Sequence, residues 1–155
     1  GGQDIRWSEE ALIAGKKFLN KIWNASRFVL SQPPTAGRQL ATKPRAKTAE
    51  DKKILASFKK ITAETSWRVE KYEFGPALHV LHDFFWHDFC DVYIEAAKKQ
   101  AEDENLRENT AIILISVLAD SLKLLHPFIP HITEEIWSAM PGGKKNILMI
   151  EKWPK

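Results

Sequence analysis

Two groups of side chains in this sequence are typed and spaced for chemistry. His79, Asp83 and His87 fall at i, i+4 and i+8 of one helical face, with Cys90 and Asp91 a turn further on. Imidazole and carboxylate at that spacing can hold zinc or part of a di-iron centre. A di-metal bundle also needs a Glu-x-x-His pair on each of two helices, and neither the stretch ending at Gln100 nor the one from Asn109 has it. The expectation is therefore no metal: the histidines satisfy local hydrogen bonds, and Cys90, between Phe89 and Val92, is an inert core thiol. Other chemistries lack their motifs. The seven glycines make no phosphate-cradling loop, and no Gly-x-Ser-x-Gly turn presents a nucleophile.

The second group lies on the first helical stretch. At about 100° per residue, Leu12, Leu19, Ile22, Ser26 and Val29 trace an apolar stripe centred between Leu19 and Ile22. Lys17, Lys21, Asn24 and Phe28 then cluster on the opposite face, flanked by Asn20 and Arg27. An aromatic ring among cations and an amide suits single-stranded nucleic acid: cations meet phosphates, the amide reads a base edge, and the ring stacks on an unpaired base. The competing reading packs Phe28 beneath the loop that follows and leaves the lysines merely solvated. Spacing alone does not choose between them.

The elements that must position these residues read as helix nearly everywhere. Ser8 is a plausible N-cap with Glu9 and Glu10 behind it, Trp7 and Leu12 form a hydrophobic staple, and the first helix runs to about Leu30. Ser31 to Lys47 breaks the pattern with three prolines and a glycine, and its only charges are Arg38, Lys43, Arg45 and Lys47, so it reads as a basic surface loop. Thr48 with Asp51 resembles a capping box opening a second helix to about Lys71, with Ile54, Leu55, Phe58, Ile61 and Val69 inward.

Phe74-Gly75-Pro76 makes a turn, and a third helix extends to about Gln100. Its apolar residues Leu78, Leu81, Phe84, Phe85, Trp86, Phe89, Val92 and Tyr93 cover most of the circumference, which predicts a central helix buried nearly all round. A charged linker at Glu102–Glu108 precedes a very apolar fourth helix, Asn109 to Leu125, ended by His126-Pro127. Thr133, Glu134 and Glu135 start a short fifth helix through Met140, stopped by Pro141-Gly142-Gly143, and Ile147–Ile150 reads as a short extended tail. The fold class predicted is all-α: one domain over residues 1–155, an up-and-down bundle of about five helices.

Composition bounds the function. With 44% hydrophobic and 28% charged residues the chain can bury a core and is not a disordered tail. A net charge of +3 excludes a histone-like polycation yet permits a local basic face. A single cysteine excludes an intrachain disulfide framework and fits a reducing, cytoplasmic setting. No apolar run is long enough for a membrane span, so no membrane partner is expected. Gly1-Gly2-Gln3-Asp4 has neither a signal peptide's character nor an initiator Met, which suggests a piece of a longer chain.

Gly2-Gln-Asp-Ile-Arg-Trp-Ser8 followed by Phe18-Leu-Asn-Lys-Ile-Trp-Asn-Ala-Ser-Arg-Phe28 resembles the opening of the anticodon-binding domain of class I aminoacyl-tRNA synthetases. Phe85-Trp-His-Asp-Phe-Cys-Asp-Val-Tyr-Ile-Glu95 and Leu124-Leu-His-Pro-Phe-Ile-Pro-His-Ile-Thr-Glu-Glu-Ile-Trp137 are most similar to the valyl branch of that family, as is the Trp153-Pro154 ending. The resemblance spans the chain apart from the loop at 31–47.

It implies a helical bundle that docks the anticodon arm of a valine tRNA, carried as a monomer beside the catalytic domain of the same parent chain. The intact enzyme would use ATP and magnesium to join valine to its tRNA. Its His-Ile-Gly-His and Lys-Met-Ser-Lys-Ser signatures are absent here, so the catalytic and editing parts are expected upstream of Gly1, and this stretch should bind, without cofactor or catalytic residue. Within the matched motif the resemblance implies Lys21, Asn24, Arg27 and Phe28 as anticodon-reading residues, with Lys16 and Lys17 as further phosphate contacts. Trp86, Phe89, Tyr93, Phe128, Ile132 and Trp137 are expected to be packing, and Glu134 and Glu135 to be first-turn acids. The alternatives are the same domain of an isoleucyl or other class Ia enzyme, or a helical protein-interaction module.

Overall fold

Helical periodicity is realised along the described chain. The structure, a computed structural model, describes residues 2–32, 42–141 and 152–155, with side chains from residue 9 onward. It comprises α1 (Gly2–Leu30), α2 (Ala49–Glu70), α3 (Phe74–Asp83), a π-helical segment (Phe84–Ile94), α4 (Glu95–Gln100), α5 (Glu104–Leu125) and α6 (Pro130–Ala139), and among the described residues no strand. The backbone stays right-handed helical at both π junctions, so α3, the π segment and α4 form one rod. The described residues thus make five rods. Thr48 before α2 meets Gln100 at the end of α4, and Phe58 meets Phe84, so α2 runs antiparallel to the third rod. Phe18 meets His82 and Phe28 meets Lys98, so α1 runs parallel to it.

α5 supplies the centre of the core: Ile113, Leu114, Val117, Leu118, Leu122, Leu124 and Leu125 are buried. They meet Ile22 of α1, Phe85, Phe89 and Tyr93 of the π segment, and Ile136 of α6 in one cluster. Of the residues expected inward on α2, Ile54 is buried, while Leu55, Phe58 and Ile61 are half-buried against that cluster. Phe89, Tyr93 and Trp137 are buried and Trp86, Phe128 and Ile132 pack against the core, as expected of packing residues.

The π segment corrects the expectation of a helix buried nearly all round. Its apolar residues come in doublets, Phe84-Phe85, Phe89-Cys90 and Tyr93-Ile94, and all six are buried. With i→i+5 bonding a π-helix has about 4.4 residues per turn, and at that pitch the doublets stack on one face. At 3.6 per turn the same residues scatter around the helix. The wider turn leaves a second face, His87, Asp88, Asp91 and Val92, open to solvent.

Several boundaries also differ from expectation. α1 is already helical at Gly2, so Ser8 is inside it and not its cap, and Leu12 is 63% exposed with no core to reach. The buried stripe of α1 is Phe18, Ile22, Ala25, Ser26 and Val29, rotated from the one expected; Leu19 is only half-buried. α5 begins at Glu104, because the Asp103 side chain accepts from the Asn105 N–H at 2.8 Å and caps a first turn within the supposed charged linker.

α6 begins at Pro130, and Thr133 is buried one turn in, its hydroxyl donating to backbone carbonyls and meeting His126 Nδ1 at 2.9 Å. Glu134 and Glu135 therefore lie beyond the first turn. The Pro33–Ala41 part of the basic loop, with Arg38, and the expected extended tail at Ile147–Ile150 lie outside the described residues.

Where the loop is described again, it is tied to α5: Lys47 Nζ donates to the Asn105 carbonyl at 3.2 Å and Asn109 Nδ2 to the Arg45 carbonyl at 2.8 Å. The capping box forms reciprocally, and Asp51 does more than cap. Its carboxylate is fully buried and accepts from Tyr93 Oη at 2.8 Å, Gln100 Nε2 at 3.0 Å, the Lys47 N–H at 3.0 Å and the Thr48 N–H at 3.3 Å. Gln100 in turn donates to Thr110 and accepts from Thr48. Burial alone would raise the Asp51 carboxyl, but these hydrogen bonds outweigh it and hold the group below its ordinary 3.8.

The turn between α2 and α3 is a Schellman closure: Glu73 N–H bonds the Arg68 carbonyl at 2.9 Å and Tyr72 N–H that of Val69 at 3.0 Å. It places Tyr72 at φ 60, a left-handed conformation that favours glycine, with its side chain 81% exposed. Tyr72→Gly should therefore stabilise the fold by about 1 kcal/mol, read as a raised urea midpoint. Asp51→Asn should destabilise by about 2–4 kcal/mol at pH 7. Because the folded-state value is depressed, the Asp51 contribution is complete above about pH 3.9 and is lost as pH falls through the lower folded value. Urea midpoints at pH 7 and pH 3 should converge for wild type and variant as the pH falls.

Candidate nucleic-acid interface

α1 presents its polar residues along the edge of its core stripe. Lys17, Lys21, Asn24 and Phe28 line up within one narrow strip of the helix, as the spacing requires. They are not opposite the core, as expected, but beside it, because the stripe centres on Phe18, Ile22, Ala25 and Val29. Lys21 and Phe28 are accordingly half-buried, whereas Lys17 and Asn24 are exposed. Lys16 and Arg27 are exposed further round the helix and do not join this strip; Asn24 and Arg27 hold no partner among the described residues.

The third rod completes the edge. Phe18, His82 and Trp86 form a run of ring contacts, with centroids 4.6 Å and 5.6 Å apart. The Lys21 ammonium sits over the Trp86 ring at 4.9 Å and donates to Asp91 Oδ1 at 3.1 Å. The hydrogen bond from Lys21 holds the Asp91 carboxyl below its ordinary 3.8, with the charges of Lys21 and His87 adding to it. Further along, the Lys98 ammonium lies 5.6 Å from the centroid of the Phe28 ring and pairs with Glu95 at 2.8 Å. Phe28 thus packs against the core and keeps a partly open side; the 33–41 part of the loop expected to cover it lies outside the described residues.

Arrangements of this kind suit an unpaired base more than a small substrate. Among the described residues the edge offers a partly open ring, an exposed lysine (Lys17), a paired lysine (Lys21) and an amide (Asn24). Sequence reasoning missed Trp86 as the seat of Lys21, considered Asp91 only as a metal candidate beside the histidines, and did not single out Lys98. The recurrence of apolar doublets at 84, 89 and 93 was the available signal, since a 4.4-residue turn puts Asp91 on the open face.

The histidine cluster resolves into pairs. His79 Nε2 lies 3.2 Å from Asp83 and His87 Nδ1 3.4 Å from Asp91, all largely exposed. Among the described residues no three metal-ligating side chains converge, and none of the described helices is long and apolar enough to cross a membrane. Cys90 is buried, and that burial pushes its thiol up to about 12, with Lys21 pulling it down and Asp91 adding to the rise. Below that value the group is the unreactive thiol. A thiol reagent at pH 8 should leave the native protein unlabelled and modify Cys90 fully in denaturant.

Comparison with known proteins adds an independent line. The family model described as "Anticodon-binding domain of tRNA ligase" matches residues 51–155. The chain is 41% identical over 99% of its length to a protein named valine--tRNA ligase from Bacillus cereus, and 42% identical over 99% to the protein of that name from Thermotoga maritima. A Listeria monocytogenes protein of the same name is 40% identical over 99%. The chain spans only 18% of the Bacillus relative and 17% of the Thermotoga one. The family match begins at α2, while the pairwise matches also take in α1, where the polar edge lies.

Proposed function

Because the chain belongs to the family of anticodon-binding domains of tRNA ligases, we propose that it docks the anticodon arm of a valine tRNA through the edge shared by α1 and the third rod. We take it to act within a longer, cytoplasmic chain that joins valine to that tRNA. ATP and magnesium would serve the catalytic part of such a chain, and no residue described here is assigned to them.

The observation that carries the reading is Phe28. Its ring is held by the core on one side and by Lys98 above, and is flanked by Lys21 and Asn24, which leaves a fixed aromatic surface for a splayed base. Lys17, Lys16 and Arg27 are exposed and without a partner among the described residues, which suits them to phosphates, whereas Lys21 is already engaged by Asp91 and is better suited to a base edge. Asn24, exposed between Lys21 and Phe28, offers an amide to a base edge. The relatives named valine--tRNA ligase support valine as the tRNA's amino acid.

The test is binding to a valine anticodon stem-loop, beside an isoleucine stem-loop, at several salt concentrations. Phe28→Leu keeps an apolar group on the core and removes the stacking surface; it should weaken binding by about 1–3 kcal/mol with the melting temperature little changed. Lys17→Ala and Arg27→Ala should each flatten the slope of log affinity against log salt by about one. Equal binding of the two stem-loops would remove valine specificity from this edge, and unchanged affinity for Phe28→Leu would leave Phe28 a packing residue only.

A further inference from the structure

We propose that Asp91 is a base-reading residue: its carboxylate accepts a hydrogen bond from the exocyclic amine of an anticodon base while Lys21 donates to the neighbouring ring nitrogen. This rests on the anticodon-arm reading above and names the chemistry by which that edge would choose a base.

Asp91 is out of place on a surface that only attracts phosphate. It is nearly half exposed and pairs with Lys21, on an edge that also carries Lys17 and Lys98, where a carboxylate repels the backbone of any polyanion. Holding Lys21 does not require it, since the ammonium already has the face of Trp86 beneath it. A carboxylate does bring something a cation cannot, which is an acceptor.

The geometry fits that use. Oδ1 takes one hydrogen bond from Lys21 at 3.1 Å, and Oδ2 has His87 Nδ1 at 3.4 Å, a loose contact with an exposed ring. Two carboxylate oxygens have about four acceptor sites and an ammonium has three donors, so both groups keep capacity toward solvent. The result is an acceptor and a donor side by side, about 3 Å apart. Adenine and cytosine present the complement, an exocyclic amine next to a ring nitrogen that accepts. Valine codons begin G-U, so the anticodon bases that pair with those two positions are adenine and cytosine.

The experiment removes the amine and the carboxylate separately and together. Stem-loops carry purine in place of the anticodon adenine, or the amine-free pyrimidine analogue in place of the cytosine. Each is titrated against wild type, Asp91→Ala and Asp91→Asn at one salt concentration. With wild type, one of the two amine deletions should weaken binding about tenfold. With Asp91→Ala the same deletion should cost less than twofold, and Asp91→Asn, whose amide oxygen still accepts, should fall between.

If amine deletion costs the same in all three proteins, or costs nothing in wild type, Asp91 does not read a base and the proposal fails while the docking reading stands. If wild type binds no valine stem-loop, the docking reading fails and this one with it. Melting temperatures within a few degrees of wild type would show that the variants report recognition and not folding.

Discussion

A carboxylate buried away from any partner cation sets the geometry of this bundle. Among the described residues, the donors that reach Asp51 are all neutral: two backbone N–H groups, a phenol and a side-chain amide, with Asn109 Nδ2 more distant at 3.4 Å. Such a charge is tolerable only when enough donors converge on it, because each absent donor leaves a costly desolvated lone pair. Those donors come from the loop before α2, from the π segment, from α4 and from α5. Packing alone could slide one rod past another by a turn. Tyr93 and Gln100 cannot both meet one carboxylate in a shifted register, so the network specifies the arrangement as well as stabilising it.

That register reaches the polar edge through the π segment. An advance of ten residues along α1, from Phe18 to Phe28, lies beside one of sixteen along the third rod, from His82 to Lys98. Two parallel α-helices would advance in step. The π turn takes more residues per unit of axis, and the long Lys98 stem reaches back for the rest. With Tyr93 fixed by Asp51 at one end and Phe85 locked against Phe18 at the other, Trp86 and Asp91 are left facing Lys21. The unusual winding and the polar edge are therefore one feature, consistent with the tendency of π turns to occur at functional sites.

Much of the fold was legible because local signals agreed with tertiary packing. The Thr48/Asp51 capping box, the apolar run to Leu125 and the break at His126-Pro127 each announce a helix end that the structure keeps. The readings that failed did so where a second constraint overrode the local one. Ser8 is a good cap in isolation, yet α1 runs on through it. Thr133 looks like a cap, yet Pro130 starts the helix a turn earlier and turns the Thr133 hydroxyl inward.

Assuming 3.6 residues per turn made the third rod seem apolar nearly all round and left Asp91 grouped with the histidines and not with Lys21. On α1, counting Leu12 and Leu19 as core rotated the expected stripe. This moved Lys21 and Phe28 on paper from the core's edge to its back. The residue types at the edge were read correctly, but their surroundings depended on a rod more than fifty residues away.

The edge position matters for what these side chains can do. A ring at the back of a helix would be free to rotate, and ordering it on a ligand would cost side-chain entropy that a single stacked base barely offsets. A ring in the core would have no open surface. At the rim, Phe28 is fixed by its core contacts and by Lys98 before any ligand arrives, and part of it stays open. Lys21 is preordered in the same way by Trp86 and Asp91. Both groups lose their freedom when the chain folds, so a base docked as proposed would keep more of each contact as affinity and as discrimination.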